Sequence, residues 1–345
     1  SWILGYRPAL DGLRGIAVLL VIVQHTKLTP FDRLGVAGVT LFFVLSGFLI
    51  TTLLLEEQRR TGAINLAAFY WRRARRLLPA LGVFLLAMAL VGGASVVIPA
   101  ALYYANWHFT WAEYPEPLVH LWTLSVEEQF YLVWPIALLG LVAIPRRFAV
   151  GVLVALIAGM TASRIAFELA AATHETVFYA TQHRADSILA GCVLAFGFER
   201  RAWVPSPVLV IVAVGLLALA GTMAHDVFVS LFGLPLATAG AVVVTALGAT
   251  RGARLLAWRP LVYLGTISYG LYLWHYPIIW PAIGGSWIVP AVVAAVGVAA
   301  VSYRFIERPI LRWHTGSARS DSARAKRHDE SVREFHWESE RAALR

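Results

Sequence analysis

The stretch RPALDGLRGIAVLLVIVQH, residues 7–25, decides how the rest of the chain is read. From Leu10 onward it is almost wholly apolar and about as long as a helix must be to cross the hydrocarbon core of a bilayer. Yet it carries Asp11, Arg14 and His25. An ionisable side chain at such a depth costs about 2.5–3.5 kcal/mol or more, so it is a functional candidate by default. Arg14 and His25 are eleven residues apart. At about 100° per residue they return to one helix face within about 20°, separated by a rise of about 16 Å. One face therefore presents a guanidinium at one level and an imidazole more than half the apolar thickness away. Asp11, one turn before Arg14, is placed to pair with it.

Working outward, the chain repeats the pattern. Ten apolar runs of spanning length are expected, at 10–27, 35–55, 77–100, 125–144, 148–169, 183–199, 206–224, 227–249, 260–281 and 286–306. The first resembles the core of a secretory signal, but no small-residue cleavage pattern follows it and nine spans come after, so it reads as a retained helix. Thirteen basic residues fall in alternate loops: Arg59, Arg60, Arg72, Arg73, Arg75 and Arg76, then Arg146 and Arg147, Arg200 and Arg201, and Arg251, Arg254 and Arg259. The intervening loops hold only Lys27 and Arg33. The positive-inside rule then puts both termini in the cytoplasm, and an even number of spans agrees. The expected fold is an all-α, polytopic integral membrane protein of about ten transmembrane helices.

Composition excludes the soluble alternatives. Of 345 residues, 59% are apolar and 14% charged, against about 45–50% and 25% in soluble proteins. The single cysteine, Cys192, lies in an apolar run and can form no intramolecular disulfide. No His/Cys cluster has zinc-ligand spacing, so no metal is expected. The net charge of +9 sits beside apolar spans and accompanies no module that stacks bases or reads a groove, so nucleic acid is not an expected partner. Residues 1–313 read as one transmembrane domain. Residues 314–345, with seven Lys/Arg and six Asp/Glu, read as a solvated cytoplasmic tail. No internal repeat or pair of Gly/Pro-broken helices suggests a secondary transporter.

Other spans also bring polar groups to the outer half of the membrane. Glu127 and Glu128 stand where the fourth span begins, Arg164 near the outer end of the fifth, and Arg184 and Asp186 where the sixth opens. His275 lies well into the ninth, with Tyr269 and Tyr272 at helical spacing below it. Each has a bland reading. The glutamates suit a helix N-terminus, and Arg164 can reach outer headgroups. Arg184 and Asp186 lie on different helix faces. Ser46-Gly47 is a close-packing pair. Arg72 to Arg76 set topology, although four arginines in five residues exceed that need and make a ready phosphate site. Trp107, Trp111 and Tyr114 suit the interfacial belt or a stacked sugar.

These residues together carry a resemblance. The stretch at 7–25, with GVTLFFVLSGFLIT at 38–51, FYWRRARRLLPAL at 69–81, HLWTLSVEEQFYLVWP at 120–135, RADSILAGCVLA at 184–195, GTISYGLYLWHYPI at 265–278 and VSYRFIERPI at 301–310, resembles the membrane acyltransferase family 3, in order along residues 7–313. The resemblance implies a ten-helix protein of the bacterial cytoplasmic (inner) membrane. It implies acyl transfer from cytoplasmic acyl-CoA, most simply acetyl-CoA, to a hydroxyl on the outer side, with no permanently bound cofactor. Acceptors of this class are envelope glycans, glycolipids or lipophilic small molecules. It also assigns roles. Arg14 and His25 match the Arg-x10-His motif with His25 catalytic. Ser46-Gly47-Phe48 matches the second-helix motif, and Arg72, Arg73 and Arg76 the cytoplasmic arginine motif. Glu127 and Glu128 match the acidic pair. Many members carry a fused extracytoplasmic hydrolase-like domain. The tail expected here leaves final transfer to the membrane domain itself or to a separate extracytoplasmic transferase.

The expected mechanism follows the chemistry of the donor. A nucleotide cannot enter hydrocarbon cheaply, so Arg72, Arg73 and Arg76, with Ser46, hold acyl-CoA from the cytoplasmic side while its thin arm threads upward. Asp11, Arg184, Asp186, Tyr272 and His275 line the route. His25 acts as general base or as acyl-carrying nucleophile, Arg14 holds the arm or polarises a carbonyl, and Glu127 or Glu128 orients the imidazole or the acceptor. The alternative is a transporter or flippase for an anionic lipid or glycan, which uses the buried charges without acyl transfer.

Overall fold

In a computed structural model the described residues are 3–28, 33–111, 116–170, 174–200, 202–223, 225–250 and 253–311. Arg201, Arg251, Tyr114 and the tail expected over 314–345 lie outside them. Among the described residues every regular element is helical. The chain runs through α1 (Pro8–Thr26), α2 (Leu34–Thr61), α3 (Leu66–Gly92), α4 (Ala94–Ala101), α5 (Ala105–Trp111), a 3-10 turn (Glu116–Leu121), α6 (Trp122–Val142) and α7 (Arg146–Leu169). It continues through α8 (His174–Tyr179), α9 (Thr181–Arg200), α10 (Pro207–Thr222), α11 (Asp226–Phe228), a π segment (Val229–Gly233) and α12 (Leu234–Ala249). It closes with α13 (Arg259–Thr266), α14 (Ser268–Ile279), α15 (Ile288–Ser302) and a second π segment (Tyr303–Glu307).

Six helical stretches among the described residues are long and apolar enough to cross a membrane: 8–26, 34–61, 66–92, 146–169, 226–249 and 288–311. The remaining four expected spans fall short for visible reasons. α6 carries Glu127 and Glu128, α9 carries Arg184 and Asp186, α10 has only 16 residues, and the ninth run breaks at Ile267 into α13 and α14.

Helix α2 is the centre, buried along most of its length against α1, α9, α10 and α12. Its apolar residues go all round, as expected of a helix enclosed by others. The closeness comes from glycine. A Cβ on Gly47 would stand 1.9 Å from the Ile188 carbonyl oxygen, and one on Gly191 would stand 2.1 Å from that of Val44. The backbones of α2 and α9 therefore touch, as small residues allow between membrane helices. Helix α1 meets α13 in the same way: a Cβ on Gly265 would lie 1.8 Å from the Asp11 carbonyl oxygen. A Cβ on Gly38 of α2 would lie 2.6 Å from the Ala17 carbonyl oxygen, so α1, the carrier of Arg14 and His25, is fixed against both α2 and the α13–α14 unit. The rim is different. α3, α6, α10, α15 and the second π segment turn Leu86, Leu90, Val133, Ile211, Val293 and Phe305 outward, a belt of exposed apolar side chains that suits lipid rather than water.

Candidate active site

A cavity of about 440 Å³ opens between α1, α2, α3, α6 and α14. Its wall is apolar along α2, through Leu45, Leu49, Ile50, Leu53 and Leu54, and continues through Phe69 and Leu77. Against that wall stand Arg14, Arg72, Arg73, Arg76, Glu57, Glu127 and Glu128. The arginine run and the acidic pair, read from sequence at opposite faces, thus share one chamber. Arg73 is seven residues into α3 and Glu128 six into α6, so each has come about 10 Å inward along its helix.

The charges are only partly matched. Arg73 grips Glu128 with two bonds, Nε to Oε2 at 3.1 Å and Nη2 to Oε1 at 2.5 Å, and its guanidinium lies 3.2 Å from the Tyr131 ring centroid. Such a bidentate, stacked arginine is held firmly. Arg72 meets Glu57 at 3.3 Å with its own side chain 55% exposed. Ser46 donates to Glu127 at 2.6 Å. Arg14 and Arg76 line the same space, and neither is among the ion pairs formed by the described residues. Asp11 and Arg14, expected to pair from their spacing, form no ion pair among the described residues, although the Arg14 charge still acts on the Asp11 carboxylate, and Asp11 is not among the residues that line the cavity.

Above the cavity lies an imidazole cluster. His25 Nδ1 is 3.0 Å from His275 Nε2, with ring centroids 5.1 Å apart, and the His25 ring also lies 4.5 Å from that of Tyr276. His275 Nδ1 points back at its own helix, 2.8 Å from the Tyr272 carbonyl and 3.1 Å from that of Leu271. A third imidazole, His120, stands 5.1 Å from His275. Its place is explained by Pro277. Proline has no N–H for the carbonyl four residues earlier, that of Leu273, and His120 Nε2 lies 3.1 Å from that oxygen. In return the Tyr272 hydroxyl donates to the His120 carbonyl at 2.8 Å, and it sits 2.5 Å from the Thr123 hydroxyl. Tyr272 and Thr123 line the cavity; His25 and His275 do not. Two hydroxyls therefore separate the chamber from the imidazoles.

Sequence reading placed His25, His275 and Tyr272 in the site but missed His120 and Tyr276. Tyr276 follows His275 directly in the quoted stretch at 265–278, and His120 opens the quoted stretch at 120–135; only the pairing across helices shows what they touch. Arg184 and Asp186 take a different place from the cavity lining. Asp186 pairs with Arg164 at 2.6 Å, both of them buried, and Arg164 also reaches the carbonyls of His183 and Ser230. Arg184 lies among Phe43, Trp122 and Phe178, at 4.8–5.7 Å from their ring centroids. Farther out, Gln129 links Tyr103, Asn106, Trp107 and Thr181. This satisfied polar network ties α5 and the start of α9 to α6 one residue beyond Glu128.

This is the architecture of a multi-pass protein of the bacterial inner membrane with a charged chamber beneath an imidazole cluster. A family model described as an acyltransferase domain matches residues 7–303, and the chain belongs to that family, the membrane acyltransferase family 3. It is 32% identical to the peptidoglycan O-acetyltransferase OatA of Listeria monocytogenes, over 88% of this chain and 56% of the relative. It is 32% identical to the putative peptidoglycan O-acetyltransferase YrhL of Bacillus subtilis, over 88% and 55%. To the O-acetyltransferase OatA of Staphylococcus aureus it is 30% identical, over 88% and 57%. The chain thus spans about half the length of the curated relatives it matches. No solved structure matches it.

Proposed function

We propose that this protein is a membrane O-acyltransferase that takes an acetyl group from cytoplasmic acyl-CoA and passes it toward a hydroxyl of an envelope glycan. The observation that carries the reading is the placing of His25. It touches His275 and Tyr276 inside the bundle rather than facing lipid, and the chamber below it holds two arginines outside the ion pairs. The names of the relatives favour a peptidoglycan-type acceptor. The last transfer belongs to this membrane domain or to an extracytoplasmic transferase that works with it.

In this reading Arg14 and Arg76 receive the donor's anionic or carbonyl oxygens, while Arg73 is committed to Glu128 and braces α3 against α6. The apolar face of α2 suits the thin arm of the donor. Its thioester then passes the Tyr272–Thr123 hydroxyl pair to reach His25, which removes the acceptor's proton or carries the acyl group. Asp186, Arg164 and Arg184 support the outer ends of α7 and α9 rather than the route itself.

The test is direct. The purified chain, reconstituted in nanodiscs, is given acetyl-CoA labelled in the acetyl group. Thioester cleavage that needs His25 is expected. A folded protein that leaves the thioester intact, while moving a labelled anionic lipid or glycan across liposomes, overturns the enzyme reading in favour of the flippase.

A further inference from the structure

Among the described contacts the His25 imidazole meets another imidazole rather than a carboxylate, and this decides which of its nitrogens reacts. His275 is fully buried. Its Nδ1 faces two carbonyl oxygens, at 2.8 and 3.1 Å. Carbonyls only accept, so His275 Nδ1 carries a hydrogen. The titratable groups around His275 are His25, His120, Tyr272 and Tyr276. No carboxylate among them would balance a second proton, and an uncompensated buried charge is costly. A singly protonated ring with hydrogen on Nδ1 has a bare Nε2. The 3.0 Å contact is then a hydrogen bond donated by His25 Nδ1 and accepted by His275 Nε2. His25, protonated on Nδ1, keeps its lone pair on Nε2.

We propose that His275 is a positioning residue that fixes the Nδ1–H tautomer of His25 and so makes Nε2 the reacting atom. In other enzymes the partner on the far nitrogen of a working histidine sets tautomer and ring orientation in the same way. Here the partner is itself held, since His120 and Tyr272 clasp the turn that supplies its two carbonyls. The chemistry balances. The acceptor's hydroxyl proton passes to His25 Nε2 as its oxygen attacks the acyl carbon. The carbon–sulfur bond breaks, and the proton moves from Nε2 to the departing thiolate, leaving ester and thiol. While His25 holds both hydrogens, its Nδ1–H bond to His275 stabilises the added charge.

The inference rests on the acyl-transfer reading for its chemistry, but the tautomer can be measured without it. Magic-angle-spinning NMR of the full chain, labelled with 15N-histidine and assigned by loss of one signal in His25→Gln, is expected to show hydrogen on His25 Nδ1. In His275→Leu the ring is expected to shift toward the Nε2–H form. Turnover of acetyl-CoA should fall about a hundredfold or more, with KM within about twofold. His275→Gln, whose amide oxygen can accept from Nδ1–H, should recover much of the loss. Hydrogen on Nε2 in the wild-type protein overturns the proposal, and so does a His275→Gln variant that is folded yet no better than His275→Leu. Thioester cleavage with the Nε2–H form defeats this inference alone. The Nδ1–H form without cleavage defeats the transfer reading and leaves the tautomer assignment standing.

Discussion

The chamber and the imidazole cluster above it are built from opposite materials. The chamber holds four arginines and three glutamates around open space. The cluster holds three histidines and two tyrosines in ring contact, with no carboxylate among the described contacts. Charge in a low-dielectric setting is strong but must be matched or solvated. A roomy, charged chamber can therefore receive a polar, anionic ligand, and Arg14 and Arg76, which form no ion pair among the described residues although the Asp11 and Glu307 carboxylates act on them, are the groups such a ligand would meet. A tight cluster of uncharged rings serves the movement of a proton better, because nothing nearby holds that proton fast. On the proposed reading, separating the two jobs by one hydroxyl pair keeps the charges of an acyl-CoA donor away from the His25 nitrogen.

The sharpest way to break this division is His25→Ala. Acetyl transfer should fall by about three orders of magnitude or more, measured as labelled acetyl released from acetyl-CoA, while binding of the intact donor stays near wild type. Retained turnover would move the reacting group out of the cluster. Next come the two arginines outside the ion pairs. Arg14→Ala and Arg76→Ala should each weaken acetyl-CoA binding about tenfold or more, as loss of a charged hydrogen bond worth about 1.5–3 kcal/mol implies. Arg72→Ala, whose guanidinium is already paired with Glu57, should do much less. Equal losses for all three, measured by titration in nanodiscs, would make the chamber a general field rather than a specific anchor.

A smaller effect on binding and a larger one on stability separates brace from anchor. Glu128→Gln removes the negative charge opposite Arg73 and one of its two acceptor oxygens in a largely enclosed place. Removing one member of such a pair costs about 3–5 kcal/mol when buried, and somewhat less here because Arg73 is 23% exposed. The thermal midpoint in detergent should drop by several degrees. A variant with unaltered midpoint and lost donor binding would put Arg73 and Glu128 among the anchoring groups instead.

The two regions were not equally legible in the sequence. The helical membrane class followed from run lengths, and the common face of Arg14 and His25 followed from helical arithmetic, because both depend on one helix at a time. Residues 77–100 were expected to span, whereas α3 covers Leu66–Gly92. The arginines at 72–76 depress any hydropathy window, but in the fold Arg72, Arg73 and Arg76 turn into the chamber, Arg75 lies beside the Trp71 ring, and the helix runs through all four. The ninth run breaks at Ile267, a change that apolar content alone does not mark. The pairs Arg73–Glu128 and His25–His275 could not be read at all, since spacing gives the face of a helix and not the neighbour it meets. His120 is hard to read because it lies in a short 3-10 turn outside the expected spans, and its partner is a carbonyl freed by a proline 157 residues later.

The least disruptive change addresses the boundary itself. Tyr272→Phe removes one hydroxyl, with its bonds to the His120 carbonyl and to Thr123, and keeps the ring that packs near His275. Loss of one or two such bonds amounts to about 1 kcal/mol each, so the fold should persist with a midpoint lowered by a few degrees. The informative measurement is acetyl-CoA cleavage without acceptor. If the hydroxyl pair keeps the chamber apart from His25, loosening it should raise this idle hydrolysis by a few-fold, because thioester and water then meet the imidazole more often. Productive transfer should change less. Idle hydrolysis that stays at the wild-type level would show that the donor reaches His25 by another path, and the division between anchoring and reaction would need a different boundary. Thr123→Val, which removes the other hydroxyl at nearly constant volume, should act in the same direction with a smaller amplitude, since Tyr272 keeps its bond to the His120 carbonyl.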